Sequence, residues 1–245
     1  MENMDADACV SYTGESALEK VEVYGQDLMF VHEQTPEICL AAVKNEPTAL
    51  KYVREQTHEI CLAAVTIDGN ALKYVRAQTP DICLAAIQSD PRVLRYALTQ
   101  TDEIIEAALS RNGNALQYAN VQTPHHCLTA VRSNGEALPY VQEQTREICL
   151  AAVSNNGMAL AYVHEQTPEI CLAAIQKCGR ALRYVREQTY EIIEAAVKQD
   201  KNAIIYADAR VIREHERTNN IDNLIAIIRA LSTEDRMHVM SAVFD

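Results

Sequence analysis

The apolar positions of this chain recur in a motif 22 residues long, of which TPEICLAAVKNEPTALKYVREQ at residues 35–56 is one copy. Thr35, Thr57, Thr79, Thr101, Thr123, Thr145, Thr167 and Thr189 stand in one column. Tyr52, Tyr74, Tyr96, Tyr118, Tyr140, Tyr162, Tyr184 and Tyr206 stand in a second. A fixed period of this size marks a repeat array. In each copy a threonine suited to an N-cap precedes an apolar run such as ICLAAV. Pro36 fits the first helical position, and Glu37 complements the positive helix end. The loop column, Asp90-Pro91, Asn112-Gly113, Asn134-Gly135 and Asn156-Gly157, reads as a turn that doubles as a second N-cap. Ala49, Leu50 and Val53 then supply an apolar stripe at helical spacing. Two helices of about nine residues, roughly 14 Å each, are therefore predicted per copy. Helices so short are unstable alone, so stacking must hold them.

The expected fold is all-α: an α-solenoid, with a right-handed superhelix, of about nine two-helix repeats and a helical C-terminal cap. Residues 1–12 read as an acidic leader expected to be disordered. Residues 13–34 keep the register through Thr13, Leu18, Val21, Leu28 and Phe30 and read as a degenerate N-terminal cap repeat. Two four-repeat blocks follow, 35–122 and 123–210, and align without gaps. TPDICLAAIQ at 79–88 matches TPEICLAAIQ at 167–176. NAIIYADARVIREHER reads as a prolongation of the last second helix. IDNLIAIIRAL and TEDRMHVMSAVF are two further amphipathic stretches, so 211–245 is a closing cap or, alternatively, a homodimerisation element.

Charge changes this picture only locally. The net charge is −12, and residues 1–34 carry eight acids against one lysine, whereas the repeats are nearly neutral. No apolar run reaches the roughly 18 residues of a membrane span, and the start lacks the apolar core of a secretory signal. A cytoplasmic setting, in the source cell or a host, is the expectation. Six of the eight cysteines (Cys39, Cys61, Cys83, Cys127, Cys149 and Cys171) share one column. Stacked helices lie about 8–10 Å apart, too far for a disulfide between equivalent positions, where alpha carbons must come within about 7 Å. Nor does any spacing match a zinc site. The column thiols are expected to be buried and reduced, with Cys9 and Cys178 outside it.

Several repeated residues have structural explanations. The Gln–Thr pairs suit backbone groups left open between helices. The tyrosines suit core packing with the hydroxyl at the edge. First-turn acids such as Glu37, Glu59 and Asp81 suit the helix dipole. His125-His126-Cys127 is the sharpest irregularity, and His125 and His126 mark a special site. His126 is expected to be buried and bonded to Thr129 or a backbone carbonyl. Pro139, in the same repeat, is expected to shorten or kink its helix.

The repeats differ most on the second helix. Lys51/Arg54, Lys73/Arg76 and Arg92/Arg95 are spaced i, i+3 and are expected to form a basic ridge. Arg180/Arg183/Arg186 form another. These nine residues are the candidate partner-binding set.

The wording TPEICLAAV…NGxALxYV resembles a short helical repeat of unknown function found in bacterial, phage, giant-virus and protist proteins. The resemblance covers about residues 13–210 and implies an all-helical fold and a pathogen or viral context, with no catalytic residues to carry over. No nucleophile–base pair, metal motif or Gly-rich phosphate loop is present, so no enzyme, cofactor or metal is expected. The expected function is a non-enzymatic protein-binding scaffold, a viral or pathogen factor that engages or inhibits a host protein, with an acidic segment as the candidate partner. Nucleic-acid or nucleotide binding through the ridges is the alternative.

Overall fold

A computed structural model describes residues 12–218, and among them every named element is helical. Each repeat is an α-helix of ten residues followed by a 3-10 helix of six. The first compact group runs through Arg111 and takes in Tyr118–Asn120. It holds α1 (Gly14–Val23), η1 (Gly25–Phe30), α2 (Pro36–Asn45), η2 (Pro47–Tyr52), α3 (His58–Ile67), η3 (Gly69–Tyr74), α4 (Pro80–Ser89), η4 (Pro91–Tyr96) and α5 (Asp102–Arg111). The second group, Asn112–Gln117 and Val121 onward, follows the same plan. After η5 (Gly113–Tyr118) come α6 (Pro124–Ser133), η6 (Gly135–Tyr140), α7 (Arg146–Asn155), η7 (Gly157–Tyr162), α8 (Pro168–Lys177), η8 (Gly179–Tyr184), α9 (Tyr190–Gln199), η9 (Lys201–Tyr206) and α10 (Ala209–Thr218). Within each group α-helix packs on the next α-helix and 3-10 helix on the next 3-10 helix. The architecture is an all-α tandem-repeat solenoid. Among the described residues no helix is long and apolar enough to cross a membrane.

The caps follow the sequence. Thr57 accepts the Ile60 amide at 3.3 Å, and the equivalent threonines at 35, 101, 123, 145, 167 and 189 do the same. Thr79 instead donates its hydroxyl to Asp81. Asp68, Asp90, Asn134, Asn156 and Asp200 each accept from the amide two residues on, starting the 3-10 helix. Each α-helix buries a band typified by Ile60, Cys61, Ala64 and Val65, and each 3-10 helix adds a pair such as Ala71 and Leu72. Within each group, two layers of short helices therefore share a core.

The second helix departs from expectation. It is a six-residue 3-10 helix rather than an α-helix of about nine, closed by bonds such as Val75 N–H to Leu72 O at 3.1 Å. Two features hold the tighter form. The cap bond at Asp68 begins an i, i+3 pattern, and Val75 turns extended immediately afterwards to lead into the next loop. Pro139 neither shortens nor ends its helix, because η6 has the common length and the exposed ring costs a single i, i+3 bond. Nor does the last second helix run on. Ala207 is extended and Asp208 accepts the Arg210 amide at 2.9 Å, which starts α10 afresh. Tyr190 at the head of α9 stacks on His215 of α10 at 3.5 Å, and Ile212 is buried. The leader with Cys9, and the two stretches expected after residue 218, lie outside the described residues.

Candidate functional site

Each loop between repeats is organised by one glutamine. Gln56 Nε2 donates to Leu50 O at 3.1 Å and to Tyr74 O of the next repeat at 2.9 Å. Its Oε1 accepts the Arg76 amide at 2.9 Å and lies 3.9 Å from Cys61 Sγ. The same set recurs at Gln34, Gln78, Gln144 and Gln166. The amide column thus bonds the ends of two successive 3-10 helices, and both of its atoms are consumed by structure. The thiols beneath are buried and free, and burial pushes each of them above the usual thiol value. A nucleophilic cysteine needs the opposite shift. Small clefts open between successive loops, one of about 240 Å³ beside Gln166, Cys171 and Arg186. Among the described residues no cluster of His, Cys, Asp and Glu could hold a metal.

The nine basic residues fall into three roles. Arg54, Arg76 and Arg186 lie beyond the ends of the 3-10 helices, so each pair with Lys51, Lys73 or Arg183 does not share a helix face. Their guanidinium groups reach back to the preceding repeat. Arg76 donates to Arg54 O at 2.8 Å and Val53 O at 3.0 Å, and Arg186 to His164 O at 2.7 Å and Val163 O at 2.9 Å. Arg54 bonds His32 O and Val31 O in the same way. Arg92 and Arg180 pair with Asp90 and Asp200, both at 3.0 Å. The first pairing holds the Asp90 carboxyl below the usual carboxylate range.

The remaining four cover the tyrosine column. Lys51 lies 4.6 Å from the Tyr52 ring centre and Lys73 lies 4.8 Å from that of Tyr74. Arg95 spans two rings, Tyr96 at 4.8 Å and Tyr118 at 5.4 Å, and Arg183 spans Tyr184 at 5.4 Å and Tyr206 at 5.0 Å. All four cations face solvent. The rings beneath are half-buried rather than part of the core, which corrects the sequence expectation. A cation over an aromatic face at an exposed site gains about 0.5–1 kcal/mol. Each head group is thereby held in place on its ring, and Lys51 also donates to Gln26 Oε1 at 3.4 Å.

His126 is buried as expected, and its Nδ1 accepts the Thr123 amide at 3.4 Å in a capping box. It is a helix-start device in a column that elsewhere holds isoleucine, such as Ile38 and Ile148, while the glutamates share the column of His125. His125 is exposed. The first-turn acids mark a further exposed edge, where Arg146 forks onto Glu169 and His58 Nε2 lies 3.0 Å from Asp81. Sequence reasoning missed both the arginine-to-carbonyl bonds and the ring–cation pairing. A Lys-Tyr or Arg-Tyr dipeptide recurring at positions 51, 73, 95 and 183 was the available signal for the second.

A family model described as a domain of unknown function (DUF4116) matches five times, at residues 35–78, 79–122, 127–167, 145–188 and 167–211. No curated protein and no solved structure matches.

Proposed function

The chain belongs to that repeat family, and from this premise we propose that it is a non-enzymatic scaffold that binds an acidic protein segment along its 3-10 helices. The observation that carries the reading is the row Lys51, Lys73 and Arg95 in the first group. Each is exposed, set on a tyrosine ring, and separated from the next by one repeat. Cations fixed in this way lose less side-chain freedom on binding than free ones, and ordering costs are a large part of what association must overcome. Arg183 offers the same arrangement in the second group. A repeated, exposed strip of this kind suits an extended segment, as solenoid surfaces generally do.

Selection of a random peptide library on the immobilised protein tests this. Enriched peptides should be rich in Asp and Glu, and K51E/K73E/R95E should abolish their binding while leaving the circular dichroism unchanged. Enrichment without acidic bias, or binding that survives the triple reversal, would refute it. Nucleic acid is the second reading, because bases also stack on aromatic rings flanked by cations. It would show instead as oligonucleotide binding that weakens steeply with salt.

A further inference from the structure

Two tyrosines break the pattern of covered rings. Tyr140 is 37% and Tyr162 48% exposed, whereas every other described tyrosine of the column is half-buried. The cause is visible in the column that carries the cations. Where the other covered pairs have Arg95 or Arg183, this pair has Pro139 and the next repeat has Ala161. Arg95 lies over its own tyrosine and that of the following repeat, as Arg183 does. Tyr140 and Tyr162 are the corresponding pair in η6 and η7, with no cation over them among the described residues.

The neighbouring positions change in the same sense. The residue three before Arg95 is Arg92 and the residue three before Arg183 is Arg180, but the residue three before Pro139 is Glu136. Residues three apart eclipse in a 3-10 helix, so an exposed carboxylate stands in line with Pro139 where the covered pairs have a guanidinium. The arginine that caps the preceding repeat is replaced as well. Arg186 bonds the carbonyls of Val163 and His164, whereas His164 occupies that position over Val141 and Gln142. Among the described residues no side chain donates to those two carbonyls. Among the described residues Glu136 accepts from the neutral Asn156 amide, at 3.4 Å, and from no cation, so rings, carboxylate and carbonyl acceptors together suit a donor-bearing cation.

We propose that Tyr140, Tyr162 and Glu136 form a receptor site for an arginine side chain of a partner protein, which lies across the two rings as Arg95 and Arg183 do in their own repeats. The chain displays the bound state twice, with an internal guanidinium as occupant. Arginine fits better than lysine because its planar group can cover two rings and fork onto a carboxylate. The site does not depend on the acidic segment proposed for the first group, since its chemistry is the reverse.

The full chain, with ring-labelled tyrosine, tests it by NMR titration with N-acetyl-arginine N-methylamide up to tens of millimolar. The ring signals of Tyr140 and Tyr162, identified from Y140F and Y162F, should shift in a saturable manner, and those of Tyr96 and Tyr184 should not. The neutral citrulline analogue should produce at least tenfold weaker shifts, and E136Q should weaken the arginine response several-fold. P139R should supply an internal occupant and abolish the response. A161R, in η7, is a second block that does not depend on the packing of η6 and should do the same at Tyr162. Equal shifts with citrulline, equal shifts at Tyr96, or an undiminished response in both P139R and A161R would overturn the proposal.

Discussion

Gln78 joins one repeat to the next through a single side-chain amide. It donates to Leu72 O and Tyr96 O, and accepts from the Leu98 amide and the Cys83 thiol. Removing it takes this partner from Tyr96 O and the Leu98 amide at once, while Leu72 O keeps the Val75 amide at 3.1 Å. A buried group left unsatisfied costs about 1–3 kcal/mol, so Gln78→Ala should lower stability in urea by about 2–3 kcal/mol, and a loss under ~0.5 kcal/mol would mean water replaces the amide readily. The arginines beyond the 3-10 helices act likewise. Arg76→Ala should cost about 1 kcal/mol in the same titration, whereas Lys73→Ala should cost less. The buried thiols set a pH dependence. Their folded values lie above the usual 9.0, so the thiolate is disfavoured in the fold. That contribution is complete below the unfolded value and is lost as pH rises through the folded ones. Melting temperature should therefore fall more steeply above pH 9.0 in the native chain than in one with Cys61, Cys83 and Cys149 replaced by alanine. Parallel curves would contradict this.

At the scale of an element, ten residues of α-helix and six of 3-10 helix have too few internal bonds to persist alone. A peptide of residues 79–100 should show no helical circular dichroism in water. Substantial helicity in it would mean that local propensity, not stacking, holds the fold. Close approach of neighbouring repeats is tightest at the glycines of the turn. A Cβ on Gly157 would sit 2.5 Å from Ala174 O and 3.0 Å from Cys178 Cβ, so Gly157→Ala should destabilise by about 1–3 kcal/mol. The period, both N-caps and the buried thiol band were legible in the sequence because each rests on a residue type with one dominant use. The form of the second helix was not. Ala49, Leu50 and Val53 fit a period of 3.6 and a period of 3 equally well over so short a run. The start of α10 at Ala209 was missed for a similar reason. The Glu-Gln-Thr loop that precedes α9 (Glu187, Gln188 and Thr189) has no counterpart before α10. The roles of Arg54, Arg76 and Arg186 were hidden because they bond carbonyls 22 and 23 residues back, a relation that no local pattern encodes.

For the molecule as a whole, net charge of −12 would favour repulsion from acidic partners, yet the repeats present their lysines and arginines in fixed rows. Local complementarity steers association more than net charge does when the cations are clustered. Salt should accordingly weaken binding of an acidic segment over the range in which surface charges are screened. The proposed interaction face is the set of 3-10 helices, and the competing face is the groove of half-buried α-helix residues such as Leu40 and Ala41, open between α1 and α2. Hydroxyl-radical footprinting of the full chain, with and without a selected acidic peptide, separates the two most directly. Bound peptide should protect Tyr52, Tyr74 and Tyr96 and leave Leu40, Leu62 and Leu84 as reactive as before. Protection of the leucines with unchanged tyrosines would contradict the assignment of binding to the 3-10 helices.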